Sequence, residues 1–313
     1  MNDTTPAGAE SPSPAARAPA DHAILTESLS RRFGRTLAVD AINLRIPRGS
    51  TYGLIGLNGA GKSTTIRMLM GLLPASSGRI VIRGHDPRID PVAAKTSVGY
   101  VPDRPTAYPW MRIDEAIAFC RALQPNWNDI YAADLVRRFR LDTTKRIGKL
   151  SKGTAAKVSL LLALAHDPEV LILDEPTDGL DPVARDDFLE GVLASVCERE
   201  RTVLMSSHAL SDVQRMADWI GLMHNGKLMI QCQTEELIRT TKRIRMILAD
   251  GAETPERPRD AILTRRDGRQ WTVTIRDFLP SSISELFPQP IEVEDLTLEA
   301  IFKDFVRGQE ATP

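Results

Sequence analysis

Gly56-Leu57-Asn58-Gly59-Ala60-Gly61-Lys62-Ser63-Thr64 is the stretch from which the fold of this chain follows. It has the spacing G-x-x-x-x-G-K-[ST] of a phosphate-binding loop. The apolar run Tyr52-Gly53-Leu54-Ile55 ahead of it reads as a buried strand. Behind it, Ile66, Met68, Leu69, Leu72 and Leu73 fall at mostly helical spacing. A phosphate loop joins a strand to a helix, so the flanks support the motif.

The residue types suit a polyanion. Glycines let backbone N–H groups converge on phosphate oxygens, because no Cβ intrudes and φ can be positive. The following helix aims its positive dipole end at the same oxygens. Lys62 adds a full charge at the β- and γ-phosphates, and Ser63 offers a hydroxyl to Mg²⁺. A chance match arises in roughly one chain in a hundred of this size, and the flanks lower that further. The pattern implies nucleotide binding.

Composition narrows the rest. The 313 residues suffice for one large domain and a small one. With 42% apolar and 26% charged residues, the chain is ordinary for a globular protein. A net charge of −1 gives no support to a nucleic-acid surface. No apolar run reaches the length of about 18 residues expected of a membrane span. The N-terminus lacks the charged-then-apolar layout of an export signal. Cys120, Cys197 and Cys232 are scattered, with no C-x-x-C pair, which suits a reducing compartment and argues against a disulfide framework or zinc site. The histidines show no metal-ligand spacing.

Taken in order, residues 1–22 are rich in Pro, Ala and Ser and read as a disordered tail. Residues 24–30 read as a strand, a turn follows at Phe33-Gly34, and residues 37–46 alternate over only part of their length. Phe33 either stacks on a purine ring or closes a core edge; spacing alone leaves both open. Residues 78–84 and 97–102 read as short strands, and Asp103 follows on a proline-rich loop (Pro102, Pro105, Pro109). From 113 to 148 the pattern is helical, and its basic cluster Arg137, Arg138 and Arg140 reads as a solvated face. With the helix that follows, a helical subdomain spans about 113–166. Ser151 is a plausible N-cap for the Leu- and Ala-rich helix at 155–165, and the amides beside Ser151 and Gly153 form a second candidate anion site.

Val170-Leu171-Ile172-Leu173-Asp174-Glu175 is an apolar strand ending in acid. A run apolar on both faces reads as a central parallel strand. Asp174 at its carboxyl end can hold Mg²⁺ near Ser63, and Glu175 is placed to polarise a water for attack on a γ-phosphate. The alternative is a solvated acidic turn with Asp178 and Asp181. Pro182 suits the first position of a helix. Residues 202–206 read as another buried strand, with His208 just past its end, where it either reaches a γ-phosphate or caps structurally. Residues 219–223 and 227–231 form a hairpin through His224-Asn225-Gly226. Beyond 240, residues 243–248 and 270–276 alternate like strands, 253–259 reads as a charged loop, and 296–306 as a helix with Leu298, Ile301, Phe302 and Phe305 on one face.

Five elements thus occur in one order: the phosphate loop, the loop at 100–103, Leu150-Ser151-x-Gly153, the acidic strand, and Ser207-His208. That order resembles the ATP-binding subunits of ABC transporters, over about residues 23–240. Within the family the chain looks most like single-domain ATPases of bacterial ABC-2-type exporters, whose C-terminal pattern Leu296-x-Leu298-Glu299-x-Ile301-Phe302 is similar to. The resemblance implies an α/β P-loop NTPase core, an N-terminal antiparallel β subdomain, an inserted helical subdomain and a small C-terminal α+β domain at 241–313.

It also implies roles. Phe33 matches the adenine-stacking aromatic, and Asn58, Gly59, Ala60, Gly61, Lys62, Ser63 and Thr64 the phosphate cradle. Asp174 matches the magnesium-side aspartate, Glu175 the catalytic glutamate, Asp181 a dimer-contact aspartate and His208 the switch histidine. Ser151 and Gly153 match the signature motif that faces the γ-phosphate of the opposite subunit, so two ATP molecules are sandwiched in a head-to-tail dimer. Two motifs depart from the pattern, at three positions. The usual glutamine after the strand is Asp103, which is still expected near nucleotide and metal. The signature's third and fifth positions are Lys152 and Thr154 rather than Gly and Gln, so altered signature chemistry is expected.

The resulting expectation is an ATPase, with ATP and Mg²⁺, driving a separately encoded transmembrane permease from the cytoplasmic face of the membrane. A homodimer is favoured over a heterodimer, because Glu175 and His208 are both present, and no nucleic acid is expected. The alternative is a soluble ABC-type ATPase acting on ribosomes or nucleic acid; such proteins usually carry two ATPase units or a long coiled-coil insertion, and this chain has one unit and no heptad run. An unrelated phosphate-loop kinase would leave 150–153 and Ser207-His208 unexplained.

Overall fold

A computed structural model describes residues 22–104, 107–258, 260–278 and 291–310. The expected tail at 1–22 lies outside these residues except for His22, which already belongs to the first strand. Pro105 of the proline-rich loop and residue 259 of the charged loop also lie outside them.

Two sheets build the nucleotide-binding part. In the first, β1 (His22–Phe33) pairs antiparallel with β2 (Thr36–Ile42), with the short β3 (Arg45–Pro47) and with a later strand, Ser77–Ile82. The stretch 37–46 is therefore two strands. Ala41 at φ 47° bulges the end of β2, and the break falls at 43–44, where the Asn43 side chain accepts the Ser28 N–H at 2.8 Å. This sheet is the antiparallel N-terminal layer expected from sequence.

β4 (Thr51–Ile55) is buried at all five positions and leads through the glycine loop into α1 (Lys62–Leu69). The strand Ser77–Ile82 is β5, and α2 (Pro91–Thr96) precedes β6 (Val98–Val101). The helical subdomain follows: α3 (Ile113–Leu123), α4 (Asp129–Arg138), a 3-10 turn at Ile147–Lys149 and α5 (Lys152–Leu164). Its basic cluster lies on an exposed face, as read, with Arg137 and Arg138 both paired to Asp134 and Arg138 also to Glu198.

The chain then returns to the core with β7 (Val170–Asp174), α6 (Pro182–Arg199), β8 (Thr202–Ser207), α7 (Leu210–Met216), β9 (Trp219–His224), β10 (Lys227–Gln233) and α8 (Thr234–Thr240). The central sheet has the order β10-β9-β4-β8-β7-β6. All its pairings are parallel except β9–β10, the predicted hairpin. Asn225 and Gly226 both take positive φ, 46° and 81°, as a two-residue turn matched to strand twist requires. β7 and β8 are buried along their whole length, which is why both read as apolar runs without alternation. The carboxyl ends of β4, β7 and β8 lie side by side, with Ile55 opposite Ser207 and Asp174 opposite Ser206.

The C-terminal part is a four-stranded antiparallel sheet, β12-β13-β11-β14, built from β11 (Lys242–Ile247), β12 (Ala261–Asp267), β13 (Gln270–Ile275) and β14 (Ile291–Asp295). One face carries its own core around Ile244, Trp271 and Val273. The last helix, α9 (Leu298–Glu310), buries Leu298, Ile301, Phe302 and Phe305, the face read from sequence. Those residues join the large core of the nucleotide-binding part beside Leu210, Val213, Met216 and Leu237. Among the described residues, no helix is long and apolar enough to cross a membrane.

Candidate nucleotide site

The glycine loop wraps the N-terminus of α1. Gly61 caps the helix at φ 104°, and a Cβ there would lie 2.6 Å from the Ala38 carbonyl oxygen. Backbone demand and close approach therefore both exclude a side chain. Behind the loop stands the β9–β10 turn, whose Gly226 N–H donates to the Ala60 carbonyl at 3.1 Å. Asn58, Gly59, Ala60, Gly61, Lys62, Ser63 and Thr64 line a cleft of about 300 Å³ together with Ala38, Glu175, Asp178 and His208. Seven consecutive loop residues predicted from sequence are thus brought together with two of the acidic and imidazole groups predicted to act beside them.

Lys62 is 5% exposed, so its charge needs local partners. Its ammonium donates to the carbonyls of Gly56 (2.7 Å) and Leu57 (3.3 Å), and lies 3.1 Å from Glu175 Oε1. The other Glu175 oxygen, Oε2, is 2.7 Å from His208 Nδ1 and accepts the His208 backbone N–H at 3.1 Å. Glu175 sits at φ 47°, an unusual conformation for a residue with a long side chain. Its N–H donates to Ser206 Oγ at 2.9 Å, which helps hold that backbone. Such local strain is characteristic of functional sites.

Asp174 is fully buried. Its Oδ1 accepts hydroxyl hydrogen bonds from Ser63 (2.9 Å) and Ser206 (2.8 Å). Its Oδ2 is buried with no partner among the described residues. Burial pushes the carboxyl above its ordinary range; the two serine hydroxyls pull it back, and the nearby Asp103 charge pushes it up again. A buried oxygen without a partner beside a serine hydroxyl is a hard-oxygen donor set, which fits Mg²⁺. Among the described residues no group of three or more His, Cys, Asp or Glu could hold a metal. The fit is therefore to an ion that draws most of its ligands from phosphate and water, as Mg²⁺ does.

The remaining predicted residues lie elsewhere. Asp103 does not line the cleft; its carboxylate is 4.0 Å from Arg67, a loose and exposed pair. Phe33 was expected on a turn but closes β1, paired with Thr36 across the turn. Its ring is 45% exposed, with the Arg31 guanidinium 4.5 Å from its centroid. Ser151 caps α5 as expected, accepting the Thr154 N–H at 3.2 Å, and is exposed. Gly153 is buried for a reason that sequence did not reveal: a Cβ there would lie 2.6 Å from Ala184 Cβ on α6. Asp181 caps α6, accepting the Ala184 N–H at 2.9 Å.

Two groups were missed by sequence reasoning. Ser206 links Asp174 to the Glu175 backbone; its signal was a pair of serines, Ser206-Ser207, closing a buried strand. Asp212 is 2% exposed and accepts from Thr177 Oγ1 (2.8 Å) and Arg185 Nε (2.6 Å), tying the turn after β7 to α6 and α7. It sits far along the chain from both partners, so no local pattern marks it.

Known proteins resemble this chain over much of its length. Residues 39–178 match the ABC transporter family. The bacitracin transport ATP-binding protein BcrA of Bacillus licheniformis is 32% identical over 222 residues, covering 70% of this chain and 72% of its own. The ABC transporter ATP-binding protein YtrB of Bacillus subtilis is 29% identical over 277 residues, covering 88% and 94%. A solved structure described as the ATP binding subunit of an ABC transporter superposes with a TM-score of 0.63 at 28% identity, covering 69% of this chain and 92% of that one. With loop, acidic strand and histidine assembled in one cleft, and with relatives of this extent, the chain belongs to the family of ABC transporter ATP-binding proteins.

Proposed function

We propose that this chain hydrolyses ATP to ADP and phosphate as the motor subunit of an ABC exporter, using one cleft per chain completed by a second copy. The observation that carries the reading is the contact chain Lys62–Glu175–His208 at the mouth of the glycine loop, at 3.1 and 2.7 Å.

The loop amides and the dipole of α1 hold the phosphates. A triphosphate is a stronger anionic partner for Lys62 than Glu175 is, so its binding releases Glu175 to orient a water towards the γ-phosphorus. His208, held by Glu175, is positioned to donate to a γ-phosphate oxygen. Mg²⁺, held by Ser63 and Asp174, would neutralise charge on the phosphates. Asp103 acts at longer range, through its effect on the Asp174 charge, and Phe33 offers an exposed ring to adenine. Ser151, exposed at the start of α5, faces the nucleotide of the second copy together with the first-turn backbone at Gly153, and Lys152 adds a cation. The membrane partner is a separately encoded permease on whose cytoplasmic face the chain sits. Relatives named for bacitracin transport favour export over the ribosomal alternative, and so does the net charge of −1.

The test is Glu175→Gln. Loss of the water-orienting carboxylate lowers turnover by about 100-fold or more, while ATP still binds. Light scattering of that variant shows a dimer with ATP and Mg²⁺ and a monomer without. A variant that stays monomeric with ATP bound rules out the sandwich. Stoichiometric recovery of a polytopic membrane protein with the tagged chain tests the partner, and recovery with ribosomes instead would replace it.

A further inference from the structure

The C-terminal sheet has one apolar face and one face of arginines. On the second face the register across strands sets Arg265 and Arg245 on either side of Thr272, in one row. In the next row Leu263 and Arg243 flank Thr274. α9 lies over this face and adds Asp304 and Arg307. The result is a cleft of about 290 Å³ lined by Arg243, Arg245, Arg265 and Arg307, with Asp267, Thr272 and the exposed Gln270 beside them.

The four guanidiniums are not equally neutralised. Arg243 donates to the buried Asp304 at 2.7 Å, and Asp304 also accepts from Thr274 Oγ1. Arg245 pairs with Glu294 of β14 at 2.7 Å. That side of the cleft is a structural lock between sheet and helix. The β12 side differs. Arg265 has only Asp267, at 3.6 Å, and that carboxylate is 79% exposed and therefore a weak rival. Arg307 has no ion-pair partner among the described residues. The side chains of Gln270 and Thr272 likewise make no hydrogen bond among them. Arg307, Gln270 and Thr272 thus line the cleft without a side-chain partner among the described residues, beside Arg265, whose loose carboxylate partner Asp267 lines it too.

We propose that this cleft binds a phosphate group, carried either by a soluble phosphoester or by a phospholipid headgroup. A carboxylate presents two oxygens in one plane. A phosphate presents three or more in a tetrahedron, which suits donors approaching from the sheet floor, from β12 and from the helix above. The proposal does not rest on the nucleotide reading, because the cleft and the glycine loop share no residue.

The test uses the full chain carrying Lys62→Ala, so that the glycine loop does not compete for phosphate. Two probes are applied: inorganic phosphate, followed through the arginine Nε–H resonances, and vesicles of phosphatidylglycerol with phosphatidylcholine against phosphatidylcholine alone, followed by co-sedimentation. Phosphate shifts the Arg265 and Arg307 resonances if a soluble phosphoester is the ligand. Co-sedimentation only with the anionic vesicles assigns the headgroup. In either case R265Q/R307Q weakens binding at least tenfold, R265K/R307K gives an intermediate loss, and with Lys62 restored both doubles keep wild-type ATP turnover. No response to either probe, or binding unchanged in R265Q/R307Q, overturns the proposal.

Discussion

Asp174 shows how one residue trades stability for chemistry. Its carboxyl is buried with one oxygen unpaired, and burial raises its pKa. For a carboxyl raised in this way, the folded state binds its proton more tightly than the unfolded state does. The associated stability is complete below the ordinary value of 3.8 and is lost as pH rises through the folded value, so at neutral pH the ionised group weakens the fold. Asp174→Asn keeps an acceptor for Ser63 and Ser206 and removes the charge. The metal-free variant is expected to be more stable at pH 7 by about 0.5–2 kcal/mol, with the gain vanishing towards pH 3, as read by urea denaturation. The same variant loses Mg²⁺-dependent turnover. His166 has the opposite sense. Burial lowers its pKa, so the stability it allows is present above the ordinary value of 6.5 and declines as pH falls. Thermal melts between pH 7 and pH 5 should show that decline, reduced in His166→Gln.

At the scale of elements, Gly153 and Ala184 decide how closely α5 and α6 approach. A methyl group at 153 meets Ala184 Cβ at 2.6 Å. Gly153→Ala is expected to destabilise by about 1–3 kcal/mol through overpacking. Adding Ala184→Gly to the same chain should recover most of that loss, apart from the cost of glycine near a helix start. A chemical-denaturation cycle over the four variants reads the coupling directly. If the cost of Gly153→Ala survives Ala184→Gly, helix contact is not what requires the glycine. The glycine loop has a second dependence of this kind, on the β9–β10 turn that donates to Ala60 from far along the chain.

At the scale of the molecule, Arg201 joins the helical subdomain to the core. It is 1% exposed and donates to the Pro168 and Ser195 carbonyls, the Tyr131 hydroxyl and Asp167. Tyr131 lies on α4, whereas Arg201 opens the β8 segment, so one guanidinium spans two parts of the fold. Arg201→Met leaves several buried acceptors unpaired and is expected to cost about 3–5 kcal/mol. Arg201→Lys recovers little, since an ammonium cannot reproduce the planar fork. Denaturation midpoints of the two variants check both. α9 is the second long-range fastening, since its apolar face enters the core beside α7 and α8.

Much of the site was legible in the sequence because its parts are local. The glycine loop is nine consecutive residues, the acidic strand is a short apolar run ending in two carboxylates, and Asn225-Gly226 announces its own turn. Backbone conformation and burial leave strong marks on such stretches. The split of 37–46 into two strands was not legible, because a positive φ at Ala41 and the Asn43–Ser28 bond depend on a neighbouring strand. The buried Asp212 and Arg201, the Ser206 link, the packing reason for Gly153 and the arginine cleft were hidden for the same reason: each joins residues distant in the chain. A phosphate loop between a strand and a helix, an acidic strand end and a histidine past the next strand can all be read from the chain, because each is a property of a short segment. That Lys62, Glu175 and His208 touch, that Asp174 keeps a buried oxygen without a partner among the described residues, and that α9 joins the main core emerge only once the chain is folded. Those outcomes come from parallel strand register and side-chain packing, which no single segment encodes.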